Sequence, residues 1–218
     1  RRAGIRFTVR AMTLARKLTA AARHLSMVDP VLGRVIERHG RCGLGRSGGE
    51  PFHVLATSII SQQLSTRAAD TIAGRLKTAV GADPHFQPQH FTACTHETMR
   101  GCGLSNGKAK WLAALGAATV AGTLSFERLA TMDDESAIEA LDALPGIGRW
   151  TAEMFLIFAM DRLDIFAMDD VGLRRGVDQL FGNGRRLSDK RTLALTARWA
   201  PYRSVASWYL WRMGDAPA

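Results

Sequence analysis

Cysteine is scarce in this chain. Cys42, Cys94 and Cys102 are its three cysteines in 218 residues, and no two form a C-x-x-C pair. That excludes a disulfide framework and argues against a four-thiolate metal or iron–sulfur site. The thiols read as buried or idle in a reducing compartment. Long apolar runs are missing as well. No stretch approaches the ~20 residues of a membrane-spanning helix. The opening RRAGIRFTVR has neither an apolar core nor a cleavage pattern, so no signal peptide is expected, and the absent initiator Met suggests a trimmed chain. No alternating apolar/polar run marks a strand, and there are no internal repeats. Lysine is rare too, with five against twenty-four arginines.

What is present is positive charge and helical periodicity. The formal charge is +9 and the pI about 10.3. Residues 1–46 hold eleven Arg/Lys against Asp29 and Glu37, so the surplus is concentrated there. A polyanion, nucleic acid, is the natural partner, although an arginine excess also arises from genome composition. Hydrophobic residues make up 46%, enough for a substantial core.

Apolar spacing predicts helices over 13–25, 29–40, 52–63, 66–80, 96–103, 105–124, 133–144, 149–160, 169–181, 188–200 and 201–213. CGLGRSGGEP (42–51) reads as a linker, with Pro51 suited to a first helical turn. Ser65 and Thr66 are candidate caps. Residues 81–95, holding Pro84 and Pro88, read as loop, and DRLDIFAM (161–168) as a connector. The fold class is all-α, a two-lobed helical bundle. Its expected divisions are 1–46, helices packing on the C-terminal lobe; 47–130, a central lobe; and 131–218, the lobe carrying the chemistry.

The most informative stretch is ALPGIGRWTAEMF (143–155). Pro145 stops one helix. Gly146 and Gly148 allow unusual backbone angles and close approach. A second helix starts near Arg149, and its first N–H groups have no intrahelical partner. Those amides lie at the positive end of the helix dipole and suit a phosphate. The expected donors are the amides of Gly146, Gly148 and Thr151. A plain turn between packed helices is the bland alternative.

The string LPGIGRWTA resembles the helix–hairpin–helix DNA-binding motif of the DNA glycosylase superfamily named for that hairpin and its Gly/Pro-rich loop followed by an Asp. The similarity covers about residues 50–213. It is closest to 3-methyladenine DNA glycosylase II and its relatives, whose motif ends in adjacent aspartates. Here DIFAMDDVGLRR supplies Asp169 and Asp170, and the resemblance makes Asp170, twenty positions after Trp150, the catalytic residue. The physical reading agrees, because a carboxylate favoured by a helix N-terminus suits a fixed anion facing a cationic sugar. Simple N-capping is the ordinary role, expected of Asp169. Asp164 reads as a solvated loop residue.

The same resemblance implies a monofunctional enzyme. Lyases of this superfamily carry a Lys just after the hairpin, where this chain has Trp150; beyond Lys77 there are only Lys108, Lys110 and Lys190. It also implies base extrusion. Trp150, Trp211 and Phe52 are candidates for the base pocket, since aromatic faces hold a cationic base. Trp111, Trp199, Trp208, Phe155 and Phe158 read mainly as core. IISQQLS (59–65) resembles the segment carrying the wedge that fills the gap, with Gln62, Gln63 and Leu64 as candidates. GLSNGKAKWL (103–112) matches a further segment, in which Lys108 and Lys110 are candidate phosphate contacts. The main-chain carbonyls of Asp142, Leu144 and Ile147 are candidate ligands for Na+ or K+. No cofactor is required and no iron–sulfur cluster is expected.

The implied activity is excision of alkylated purines from double-stranded DNA in base excision repair. The protein would act as a monomer, cytoplasmic and associated with the nucleoid, with no membrane involvement. A hairpin and Asp170 lying at a cleft between two lobes belong to that expectation, as does the absence of the larger members' N-terminal β domain. Two other readings stand: a glycosylase of the same fold for a neutral base, with Glu153 or a His as acid, and a noncatalytic DNA-binding module.

Overall fold

The computed structural model describes residues 2–45 and 50–214, with side chains from residue 12 onward. Among the described residues the elements are helical throughout: α1 (Arg2–Val28), α2 (Pro30–His39), α3 (Pro51–Ser61), α4 (Thr66–Val80), α5 (Pro88–Ala93), α6 (His96–Gly101), α7 (Asn106–Val120), α8 (Phe126–Thr131), α9 (Asp134–Asp142), α10 (Arg149–Phe158), α11 (Val171–Phe181), α12 (Asp189–Thr196), a 3-10 turn (Ala197–Trp199) and α13 (Arg203–Gly214). The expected linker 42–51 lies partly outside the described residues.

Local chemistry sets the helix ends. The side chains of Ser65, Ser105, Ser125, Asp133 and Ser188 each accept an amide from the first turn of the helix that follows. Pro51 occupies the first turn of α3, and Gly81 ends α4 in a left-handed conformation. Two expectations need correction. Residues 81–95 are not all loop, because Pro88 starts α5 instead of preventing a helix. The segment 124–132 carries α8, too short to register as a periodic pattern.

The chain forms two compact units, residues 1–47 with 156–218, and residues 48–155. The boundary expected at 130/131 does not appear as a division. Helices α8 and α9 pack together within the second unit, and the change of unit falls inside α10.

In the first unit, α1 and α2 pack on each other and on α13, and α11 packs on α13. Leu25, Leu32, Leu173, Val177, Trp199, Val205 and Tyr209 are buried there. Asp29 is a buried carboxylate whose Oδ1 accepts the amides of Val31 and Leu32, while Oδ2 accepts the Trp199 indole N–H at 2.9 Å. Asp164 is likewise no solvated residue. Its carboxylate accepts the Arg203 amide at 3.1 Å and pairs with the guanidinium at 2.8 and 2.9 Å, fixing the start of α13.

In the second unit, α7 is the central helix, touched by α3, α5 and α6. Leu55, Ile59, Ile60, Leu76, Phe86, Phe91, Leu112 and Leu115 form the core.

Candidate functional site

The hairpin belongs to the second unit. After α9, the Leu144 amide donates to the Leu141 carbonyl at 3.0 Å and the Ile147 amide to the Leu144 carbonyl at 3.1 Å. This tight turn brings Gly146 to a φ of +83°. A Cβ there would lie 2.3 Å from Cδ2 of Trp111, so the indole lies hard against the turn and only glycine fits. At Gly148 the corresponding space is open. Pro145 offers no N–H, and the Gly146 and Gly148 amides make no backbone hydrogen bond among the described residues. The first turn of α10, including the Thr151 amide, adds donors that a helix cannot satisfy by itself. An anion is what such a nest of amides accepts.

Arg149 opens α10 but does not serve as a free cation beside the hairpin. It makes a two-pronged pair with Glu135 and reaches Glu153 through Nε at 3.2 Å. These partners, Glu135 foremost, push its pKa further above the usual arginine range. The pairing ties α9 to α10 across the hairpin. It also engages Glu153, which is buried, against the reading that made Glu153 a free acid.

Three expected contacts need correction. Lys108 is not a phosphate ligand. Its side chain is buried, and its ammonium donates to the carbonyls of Ile60 (2.8 Å) and Gln62 (2.5 Å). Burial lowers its pKa. Gln62 is not a wedge, since its Nε2 donates to the Gly146 carbonyl at 2.8 Å. Phe52 is not an accessible aromatic face; it is buried against Phe91, ring centroids 5.8 Å apart. The remaining candidates keep accessible positions. Gln63 and Leu64 are exposed beyond the end of α3, with Gln63 at a φ of +56°. Lys110 is exposed on α7. Trp150 is 47% exposed in the first turn of α10. Of the expected cation ligands, Asp142 ends α9 and Leu144 and Ile147 lie in the turn, where the Leu144 carbonyl already accepts the Ile147 amide.

The carboxylate belongs to the first unit. Asp170 is the N-cap of α11, and its Oδ1 accepts the Leu173 amide at 2.7 Å. The same oxygen accepts the Trp211 indole N–H at 3.0 Å. Capping therefore falls to Asp170, while Asp169 is exposed. The Trp211 ring packs on Phe158 with centroids 5.4 Å apart. One residue escaped the sequence reading. A Cβ at Gly172 would lie 3.2 Å from the Asp170 carboxylate and 3.3 Å from the Trp211 ring, so this glycine leaves room for their contact. Its only sequence signal is a glycine two places after the aspartate. The geometry makes Asp170 a fixed carboxylate at the edge of the Trp211 indole, able to oppose a developing cation.

Residues 56–201 match the family described as HhH-GPD superfamily base excision DNA repair protein. The chain belongs to this superfamily. DNA-3-methyladenine glycosylase 1 of Schizosaccharomyces pombe is 34% identical over 198 residues, which cover 89% of this chain and 87% of that protein. DNA-3-methyladenine glycosylase 2 of Escherichia coli K12 is 27% identical over 186 residues, covering 79% and 63%. Among solved structures, DNA-3-methyladenine glycosidase from Bacillus halodurans superposes with a TM-score of 0.83 at 35% identity, over 90% of this chain and 89% of that one. The S. pombe 3-methyladenine DNA glycosylase Mag1 in complex with abasic DNA gives 0.77 at 33% identity, over 90% and 97%. The all-helical fold expected from the sequence holds among the described residues, in which no strand occurs. None of their helices is long and apolar enough to cross a membrane.

Proposed function

We propose that this HhH-GPD protein is a monofunctional glycosylase that removes alkylated purines from double-stranded DNA, acting as a monomer at the nucleoid. The observation that carries the reading is Asp170, anchored by two hydrogen bonds on one oxygen at the start of α11. The relatives support the substrate class: they are named as 3-methyladenine glycosylases, one of them in complex with abasic DNA.

A 7- or 3-alkylated purine already carries positive charge and leaves as a neutral base. Its glycosidic C–N bond breaks with the electron pair going to the base, and the sugar becomes cationic at C1′. The Asp170 carboxylate offsets that charge. Water then adds to C1′ and loses a proton, giving an abasic site. The residue after Arg149 is Trp150, with no lysine to form a Schiff base, so the strand stays intact. Trp150 and Trp211 are the aromatic faces for the cationic base. Gln63 or Leu64 fills the vacated stack, and the amides of Gly146, Gly148 and Thr151 hold a phosphate. Lys110 adds a second phosphate contact. The carbonyls of Asp142, Leu144 and Ile147 take a Na+ or K+; a carbonyl has two lone pairs, so the Ile147 amide does not preclude this at Leu144. No other cofactor is called on.

The test uses duplexes carrying 7-methylguanine, 3-methyladenine, uracil or 8-oxoguanine. Strand cleavage should appear only after alkali treatment, and only for the methylated bases. Release of uracil alone, or of nothing, would overturn the proposal. Borohydride should trap no covalent complex. DNA affinity at fixed ionic strength should drop when tetramethylammonium replaces Na+ and K+.

A further inference from the structure

Four contacts in the second unit link the end of α3, α7 and the hairpin. The first two involve Lys108, which is 8% exposed and makes no ion pair with a carboxylate among the described residues. Its ammonium instead donates to the carbonyls of Ile60 and Gln62, two acceptors that α3 leaves unsatisfied at its C-terminus. The Gln62 carbonyl belongs to the peptide joining Gln62 to Gln63, so Lys108 orients the unit that leads into the left-handed Gln63. The third contact runs from Gln62 Nε2 to the Gly146 carbonyl at 2.8 Å. The fourth is Trp111, three residues after Lys108 on α7, whose indole lies against Gly146. Thus α7 holds the α3 tip with one side chain and the hairpin with another, and Gln62 closes the triangle.

We propose that Gln62 and Lys108 are positioning residues that fasten the exposed Gln63–Leu64 tip to the phosphate-holding hairpin, making the two one rigid body. The inference rests on the glycosylase reading for its consequence. Extruding a base needs a side chain driven into the stack while the backbone is held, and the reaction against the stack must pass through a stiff link. Neither Gln62 nor Lys108 touches DNA or the reacting atoms; both act through the peptide they hold. The pairing also explains a lysine buried without a carboxylate partner, since two carbonyls replace its water.

The test compares Gln62→Met, which keeps length and loses the amide donor, with Lys108→Met and the conservative Lys108→Arg. Single-turnover release of 7-methylguanine is measured in two duplexes, one with the lesion paired to cytosine and one with it opposite an abasic site. Fluorescence of 2-aminopurine beside the lesion reports extrusion. Expected for Gln62→Met is a loss of about tenfold on the paired duplex with the fluorescence rise diminished, and a loss below about twofold on the unpaired duplex. Lys108→Arg should recover part of what Lys108→Met loses. Hydrogen exchange of the peptide covering 143–149 should speed up in Gln62→Met, a readout independent of catalysis. Equal losses on both duplexes, or unchanged exchange at the hairpin, would overturn the inference. Should Lys108→Met fail to fold, the Gln62→Met result decides. A wild-type protein inactive on both duplexes would refute the glycosylase reading itself, whereas active wild type with an unaffected Gln62→Met refutes only the link.

Discussion

Replacing Asp170 by asparagine separates the charge of this residue from its hydrogen bonds. Two donors, the Leu173 amide at 2.7 Å and the Trp211 indole at 3.0 Å, fall on Oδ1. Asparagine retains an oxygen there, and as an N-cap it is as effective as aspartate, so stability should change by less than about 1 kcal/mol. The negative charge is lost entirely. A unit charge ~4 Å from a sugar cation, at an effective dielectric constant of ~20, is worth about 4 kcal/mol. The chemical step should therefore slow by about a thousandfold. Asp170→Ala loses the charge and both bonds. It should show the same catalytic loss plus a stability loss of about 2.5–4 kcal/mol, from ~1 for the cap and ~1.5–3 for a hydrogen bond to a charged acceptor. Single-turnover release of 7-methylguanine at saturating enzyme gives the first quantity, and urea unfolding the second. Binding to an abasic duplex should persist in Asp170→Asn. Excision by Asp170→Asn within about threefold of wild type would refute the catalytic role and leave Asp170 as a cap only.

The two hairpin glycines should fail in different ways. Gly146→Ala puts a Cβ into the Trp111 ring at positive φ and should lower stability by at least about 1–2 kcal/mol, whereas Gly148→Ala meets open space and should unfold normally while binding duplex DNA about tenfold more weakly. Calorimetry and fluorescence anisotropy separate these outcomes; equal stability losses would refute the account. Lys110→Met should reduce the slope of log affinity against log salt by about 0.9, and Lys108→Met should leave that slope unchanged while lowering Tm. A pH effect is expected at His53. Burial first, then Lys77 and His85, lower its pKa, and its Nδ1 accepts the Phe86 amide at 3.2 Å, a bond that the protonated ring loses if that nitrogen takes the proton. The unfolded chain then binds the proton more readily than the folded one, so stability is full above the ordinary histidine pKa and declines as pH falls below it. Urea midpoints at pH 7.5 and 5.5 should differ less in His53→Gln than in wild type; an unchanged difference would assign the effect elsewhere.

The features legible in the sequence were those whose physics is local. Pro-Gly-x-Gly between two periodic stretches announces a helix break, and adjacent aspartates before an amphipathic run announce a helix start. Where the reading of individual polar side chains failed, the deciding partner was distant in the chain. Lys108 looked like a phosphate ligand because its acceptors, Ile60 and Gln62, lie 48 and 46 residues away. Gln62 looked like a wedge because the Gly146 carbonyl is 84 residues on. Asp164 looked solvated because Arg203 is 39 residues off. Phe52 shows a different limit, since periodicity reports that one face of a helix is buried but not which aromatic on it meets another.

Capping and catalysis looked like rival roles for the two aspartates, but under the proposed function one geometry serves both. A carboxylate that must oppose a transient cation gains from being fixed beforehand, because reorienting it during the reaction would cost part of the stabilisation. Fixing an oxygen takes donors, and the start of a helix supplies them without further side chains. The Leu173 amide provides one direction and the Trp211 indole a second, and two bonds on one oxygen define the plane of the group far better than one. Gly172 allows this, because any larger residue would press on Oδ1 and on the indole together. Asp169 is next in sequence, yet it lies exposed. The cap is thus the means by which α11 aims the carboxylate, and the choice between adjacent aspartates is made by which of them the helix holds.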